Sequence, residues 1–398
     1  MIPRTLSNRL KELAGPFPVV FLTGPRQSGK TTLARAAFPE FSYISLEDLQ
    51  NREEAAEDPR AFLRRLDGTK GAVLDEVQRV PDLFSYLQGF VDEQRGGPLV
   101  LTGSQHFLLS EKISQTLAGR AAILELLPLS TAELCRRKAL TPETFLEPAH
   151  PVPKPEGLDL YETVFKGLFP RIHDRDLDAP AWLDGYVRTY VERDVRQVAG
   201  IGDLDAFARF LALCAGRVGS LLNTSSLGAD CGVTHVTAGR WISVLRASYV
   251  LDLLPPFYEN FSKRLIKSPK LYFVDSGLLC HLLGIRKAED VRIHPLRGAI
   301  FENFVLNEIQ KLFLHNGQRP PLYFWRDSRG LEIDLVLDMG TRRVPVEIKS
   351  AETVAADFFE GLDQYIRLSH DPGGVLIYGG SEEYGRRGHH VRPWWKCS

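Results

Sequence analysis

Residues 17–37 read FPVVFLTGPRQSGKTTLARAA. The opening FPVVFLT is a short uncharged run rich in apolar and β-branched residues, which predicts a buried strand. The closing TLARAA has helix-forming composition and predicts a helix. Gly24 to Thr31 join them and match the pattern GxxxxGK[ST] in full. The pattern has a physical logic. Glycines let the backbone curl so that its N–H groups point inward at an anion. The N-terminus of the following helix adds partial positive charge.

That geometry fits the phosphates of a nucleotide. Lys30 is placed to reach the β- and γ-phosphates, and the Thr31 hydroxyl to reach Mg²⁺. Gly24, Pro25, Arg26, Gln27, Ser28, Gly29, Lys30, Thr31 and Thr32 are therefore the expected binding residues, with ATP or ADP and Mg²⁺ as cofactors. Further uncharged runs at 71–74 (GAVL) and 98–102 (PLVLT), and AAILELL at 121–127, alternate with helical spacing such as Leu83, Leu87, Phe90 and Val91. Short buried strands alternating with helices predict an α/β fold with a parallel sheet covered on both faces. The second run ends in Asp75-Glu76, about 45 residues after the loop. Phosphoryl transfer needs a carboxylate for the metal and a group to orient the attacking water; Asp75 fits the first role and Glu76 the second.

From Phe17 to Leu129 the chain resembles the AAA+ ATPase domain. The likeness is to a prokaryotic group whose members continue into a shared C-terminal region of undefined function. TGPRQSGKTTL, VLDEVQ, LTGSQ and LAGR followed by ELLPLS carry it. The resemblance implies a polar residue contacting the γ-phosphate or attacking water, Ser104 with Thr102 as the alternative. It also implies an arginine acting in trans, Arg120, just before a core strand. Such an arginine stabilises charge on the γ-phosphoryl oxygens. A trans arginine requires a homo-oligomer, and a hexameric ring is the usual form of such proteins. Arg188, Arg193 and Arg196 are further candidates for facing a neighbour's nucleotide.

Beyond the ATPase core, expected at 1–135, the reading is a linker and helical lid at 136–200, a winged helix at 201–285 and a nuclease-like α/β domain at 286–398. Residues 141–157 hold five prolines. From about 180 the chain reads as helical, with Val187, Val191, Val195 and Val198 forming one apolar stripe. SSLGADCGVTHVTAGRWISVLRAS predicts two helices around a turn near Gly232, with Val236, Trp241, Val244 and Leu245 facing inward. His235, Thr237 and Arg240 are then candidates for a DNA groove, and Lys263, Arg264, Lys267 and Lys270 for phosphate contacts on a basic hairpin. Glu302, Asp334, Glu347 and Lys349, in that order, resemble the catalytic core of PD-(D/E)xK nucleases. Period 2 along a strand puts Glu347 and Lys349 on one face. Asp334 and Glu347 are expected to share Mg²⁺, with Glu302 completing the shell. Residues 381–398 read as loosely ordered.

The bulk properties bound these readings. The chain has 398 residues, enough for two or three domains, and a net charge of −1, so any nucleic-acid surface must be local. Its five cysteines, Cys135, Cys214, Cys231, Cys280 and Cys397, form no CxxC pair, which argues against disulfides or structural zinc. No run reaches the roughly 18 apolar residues of a membrane helix, and MIPRTLSNRLKEL lacks a signal-peptide core. A cytoplasmic protein without a membrane partner is expected. Three whole-protein readings remain: an oligomeric ATP-driven machine working on DNA, an ATP-gated DNA nuclease, and a nucleotide-dependent regulator or scaffold with a protein partner.

Overall fold

In the computed structural model, residues 1–104, 116–147, 153–195, 203–257, 268–327 and 330–398 are described. The chain divides into two units. The first comprises Met1–Leu129 with Ala247–Tyr249 and Leu314–Gln318. Its centre is a five-stranded sheet of β1 (Val19–Thr23), β2 (Ser42–Ser45), β3 (Ala72–Asp75), β4 (Leu99–Thr102) and β5 (Ala121–Glu125). Every pairing is parallel, in the order β2-β3-β4-β1-β5. Strands β1, β3 and β4 are buried at every position, which is why they read as continuous apolar runs rather than alternating ones.

The pleat divides these side chains between two cores. Val19, Phe21, Leu74, Leu99 and Leu101 pack on one face with Leu83, Phe84, Leu87 and Phe90 of the helix Leu83–Asp92. Val20, Leu22, Val73 and Val100 pack on the other with Leu33, Ala34 and Ala37 of the helix Lys30–Ala37. Because β4 lies between β1 and β3, the loop after β1, the acidic pair after β3 and the polar end of β4 emerge along one sheet edge.

The second unit comprises Ser130–Arg246, Val250–Phe313 and Arg319–Ser398. Helices Leu204–Ala215, Thr224–Cys231 and His235–Ala247 precede the antiparallel pair β6 (Leu251–Leu254) and β7 (Lys270–Phe273). Then comes the helix Arg297–Leu314, buried along most of its length. A six-stranded mixed sheet follows, built from β8 (Leu322–Arg326), β9 (Glu332–Asp338), β10 (Arg343–Lys349), β11 (Val375–Tyr378), β12 (Tyr384–Arg386) and β13 (His389–Pro393). Its order is β12-β13-β11-β10-β9-β8, and β10 pairs antiparallel with β9 and parallel with β11.

Several expectations change here. Residues 381–398 are not loose: they supply β12 and β13, and Trp394, Trp395 and Cys397 are fully buried. The helix expected around Val187, Val191 and Val195 is present as a π-helix, Val187–Val195, and Val198 lies outside the described residues. In the helix His235–Ala247 the inward face is Ala238, Trp241, Ile242 and Leu245, while Val236 is 68% exposed. Among the described residues no helix is long and apolar enough to cross a membrane.

Candidate functional site

The loop from Gly24 to Gly29 connects β1 to the helix Lys30–Ala37. Gly24 has φ +143°, and a Cβ there would lie 2.2 Å from the backbone oxygen of Leu126. No side chain fits, so the first glycine of the motif is a packing requirement as well as a conformational one. Gly29 is the N-cap of the helix at φ 92°, and no side chain caps its first turn. The first-turn N–H groups are thereby left for a ligand.

Lys30 is almost wholly buried. Its Nζ donates to the backbone oxygens of Gly24 (3.0 Å) and Pro25 (2.7 Å). Burial pushes its pKa down to about 8, against the opposing pull of Glu76 and Asp75. A phosphate would restore the preference for the ammonium form.

The acidic pair is organised by hydroxyls. Thr31 Oγ1 donates to Asp75 Oδ1 at 2.9 Å and lies 3.1 Å from Oδ2. Tyr43 Oη donates to Asp75 Oδ2 at 2.9 Å, and Thr102 Oγ1 donates to Oδ1. A hydroxyl and a carboxylate in contact form the hard oxygen donor set that suits Mg²⁺, so Thr31 and Asp75 fit the metal role expected of them. Glu76 adopts a left-handed backbone conformation, φ 58° and ψ 44°. Its N–H donates to Thr102 Oγ1 at 3.3 Å. Its carboxylate accepts from Gln78 Nε2, which also lies 3.4 Å from Ser104 Oγ. Glu76, Gln78 and Ser104 therefore form one polar chain. Sequence reasoning missed Gln78 and Tyr43; the sole signal was the polar residue of VLDEVQ and the tyrosine of SYIS.

A cavity of about 550 Å³ lies beside the motif, lined by Thr31, Thr32, Arg35, Phe38, Phe41 and Tyr43 among others. The Arg35 guanidinium stands 4.7 Å over the Tyr43 ring. Arg120, immediately before β5, forms a fork with Asp92 at the end of the helix Leu83–Asp92: Nε to Oδ1 at 2.6 Å and Nη2 to Oδ2 at 2.9 Å. The guanidinium holds the Asp92 carboxyl below its usual range.

Of the other arginines, Arg188 is exposed and pairs with Asp184 at 3.0 Å. The Arg193 side chain and Arg196 lie outside the described residues, as do Lys263, Arg264 and Lys267. His235 and Arg240 are exposed and Thr237 is half-buried. Lys270 corrects an expectation: it is buried, not displayed on a hairpin for phosphate contact, because Glu302 and Glu332 neutralise it inside the second unit.

The second carboxylate group is brought together in part. Lys349 Nζ donates to Glu347 Oε1 at 2.5 Å, on one face of β10 as period 2 demands. Asp334, on β9, accepts the N–H of Ile348 at 2.8 Å. Glu302 accepts from Lys270 Nζ at 3.1 Å and from the Tyr272 hydroxyl. Burial, then the Asp334 charge, pushes Glu302 up to about 7 and Glu347 up to about 8. Among the described residues no three His, Cys, Asp or Glu side chains are arranged to hold a metal ion, so the expected Mg²⁺ shell of Asp334, Glu347 and Glu302 does not fit as the chain is folded.

Comparison with known proteins gives three consecutive matches. Residues 16–135 match an AAA domain, 157–289 a domain of unknown function (DUF8612) and 297–397 another (DUF4143). An uncharacterized protein of Mycobacterium tuberculosis is 33% identical over 357 residues, covering 88% of this chain and 74% of its own length, and one of Mycobacterium bovis matches equally. An uncharacterized protein of Methanocaldococcus jannaschii is 24% identical over 347 residues, covering 81% and 72%. Among solved structures, a Walker-type ATPase of Pyrococcus abyssi aligns at TM-score 0.41 and 15% identity, covering 71% of this chain and 96% of its own. The RuvB Holliday junction branch migration motor of Thermotoga maritima aligns at TM-score 0.31 and 21% identity, covering 63% and 87%.

Proposed function

Because the chain belongs to one family with the mycobacterial relatives and carries an AAA domain over residues 16–135, we propose that this AAA-type P-loop ATPase binds ATP with Mg²⁺ between Gly24 and Thr32 and hydrolyses it with Glu76. The observation that carries the reading is the Thr31–Asp75 contact of 2.9 Å beside an uncapped helix start. Lys30 gives up the Gly24 and Pro25 carbonyls for β- and γ-phosphate oxygens. Thr31 and Asp75 hold the metal, which supplies positive charge where the γ-phosphoryl group gains negative charge. Glu76 orients the attacking water and accepts its proton. Gln78 links Glu76, the residue after β3, to Ser104, two residues beyond β4, which sets both toward the same reacting centre.

Arg120 would leave Asp92 to reach the nucleotide of a neighbouring copy, in a homo-oligomer for which a hexameric ring is the favoured form. DNA is the favoured target of the second unit, supported by His235 and Arg240 exposed on one helix. The test is steady-state ATP hydrolysis by the full chain and by Glu76→Gln, with and without duplex DNA over a range of salt. Glu76→Gln should keep ATP affinity and lose turnover; undiminished turnover would remove Glu76 from its role. Turnover raised by DNA, an effect that fades steeply with salt, supports the DNA reading. Turnover indifferent to DNA moves the target to a protein partner. An ATP-gated nuclease is the other reading of the second unit; it rests on the order of Glu302, Asp334, Glu347 and Lys349 and on the Lys349–Glu347 contact, and cleavage of the DNA in the same assay tests it.

A further inference from the structure

The carboxylates of the second unit are supplied with cations by the chain itself. Glu302 of the helix Arg297–Leu314, Glu332 and Asp334 of β9, and Glu347 of β10 are the four acids. Lys270 of β7 reaches two of them: its Nζ lies 3.1 Å from Glu302 Oε1 and 2.5 Å from Glu332 Oε1, and the side chain is 3% exposed. Tyr272, two residues on and so on the same face of the strand, donates to Glu302 as well. Arg326 stands 3.4 Å from the second oxygen of Glu332, and Lys349 is paired with Glu347.

We propose that Lys270 is the resident cation of this cluster, seated among acids that would otherwise bind a divalent metal ion, so that the second unit as folded carries no metal-dependent nuclease centre. The inference is independent of the ATPase reading and bears against the nuclease alternative. The ion pairs support it: the Lys270 ammonium takes one oxygen each from Glu302 and Glu332, acids of two different elements, and so occupies the place between them. Burial disfavours the Lys270 ammonium, but Glu302, Asp334 and Glu332 outweigh it and raise the pKa, so the lysine stays charged. One buried acceptor of the cluster is unused: Glu347 is 8% exposed, and among the described residues its Oε2 has no hydrogen-bond partner. A buried lysine ringed by acids is hard to displace, because expelling it leaves uncompensated charge in the interior.

The experiment counts Mn²⁺ bound per chain by electron paramagnetic resonance, and follows thermal unfolding, for the nucleotide-free full chain. The variants are wild type, Glu347→Gln, Lys270→Met, and Lys270→Met combined with Glu347→Gln. Any Mn²⁺ at the Thr31–Asp75 site is common to all four and cancels. Wild type and Glu347→Gln should bind equal amounts. Lys270→Met should bind one more ion than wild type, melt lower without metal and recover stability as Mn²⁺ is added; the extra ion should vanish in the double variant. A wild-type count that falls on Glu347→Gln overturns the proposal, and so does a folded Lys270→Met that gains no ion. If Lys270→Met does not fold, the comparison of wild type with Glu347→Gln still decides.

Discussion

Replacing Thr102 by valine keeps the shape of a fully buried side chain and removes one hydroxyl. That hydroxyl donates to Asp75 Oδ1 and accepts the N–H of Glu76 at 3.3 Å, so it fixes the metal-binding acid and the water-orienting acid together. Losing a hydrogen bond to a charged group costs about 1.5–3 kcal/mol. Asp75 keeps Thr31 and Tyr43 as donors, which places the stability loss at the lower end, about 2 kcal/mol, or a fall of roughly 5–10 °C in the first unit's melting transition. Glu76 loses more in function than in stability. It sits in a left-handed conformation that a non-glycine residue holds only when its surroundings enforce it, and the Thr102 bond is one of those restraints. If 1.4–2.8 kcal/mol of that restraint is expressed in the transition state, kcat falls about 10- to 100-fold. The assay is ATP turnover at saturating ATP alongside urea and thermal unfolding, with Thr102→Ser, which keeps the hydroxyl and loses only the buried methyl, as the control that should restore turnover. Turnover within twofold of wild type in a destabilised Thr102→Val would refute the reasoning, because it would show that Thr102 supports the sheet without placing Glu76.

Other substitutions probe the rest of the site. Lys30→Ala removes the loop's one lysine and should abolish tight ATP binding by titration calorimetry; retained micromolar affinity would mean that the phosphates lie elsewhere. Arg120→Ala should cut turnover with little change in ATP affinity, and mixing it with Glu76→Gln subunits should restore part of the activity. Mixed subunits with no recovery would leave Arg120 as the partner of Asp92 within its own chain.

What could be read in advance follows from how each segment is buried. Strands β1, β3 and β4 are enclosed on both faces, so their apolar runs announce them. The edge strand β2 buries one residue well, Ile44, and leaves Ser42 and Tyr43 exposed, so SYIS carries no apolar run to find. Tyr43 therefore went unnoticed although its hydroxyl meets Asp75. Residues 381–398 mix charges with tryptophans; Arg392 and Lys396 are buried against Glu383, which pairs with both. Composition cannot show that pairing, and without it the segment reads as polar. The same holds for Lys270, which lies in a basic stretch by sequence but whose partners, Glu302 and Glu332, are 32 and 62 residues away.

The two acidic groups use the same residue types and reach opposite chemical states because of what donates to them. Asp75 is held by the hydroxyls of Thr31, Tyr43 and Thr102. Neutral donors orient a carboxylate without cancelling its charge, so the full negative charge remains for a cation. Lys30, the nearby ammonium, is turned onto the Gly24 and Pro25 carbonyls rather than onto Asp75. In the second unit ammoniums join the neutral donors: Lys349 on Glu347, and Lys270 on Glu302, beside the Tyr272 hydroxyl, and on Glu332. Each lysine both orients and neutralises, which lowers the attraction for a further cation by the amount that a bound metal would have to recover. Burial, and after it the neighbouring Asp334 charge, pushes Glu302 and Glu347 toward protonation, which weakens them further as ligands. A divalent ion offered to the whole chain should therefore partition to the hydroxyl-supported acid beside the phosphate loop, and substitution of a lysine, not of an acid, is the change that would redirect it.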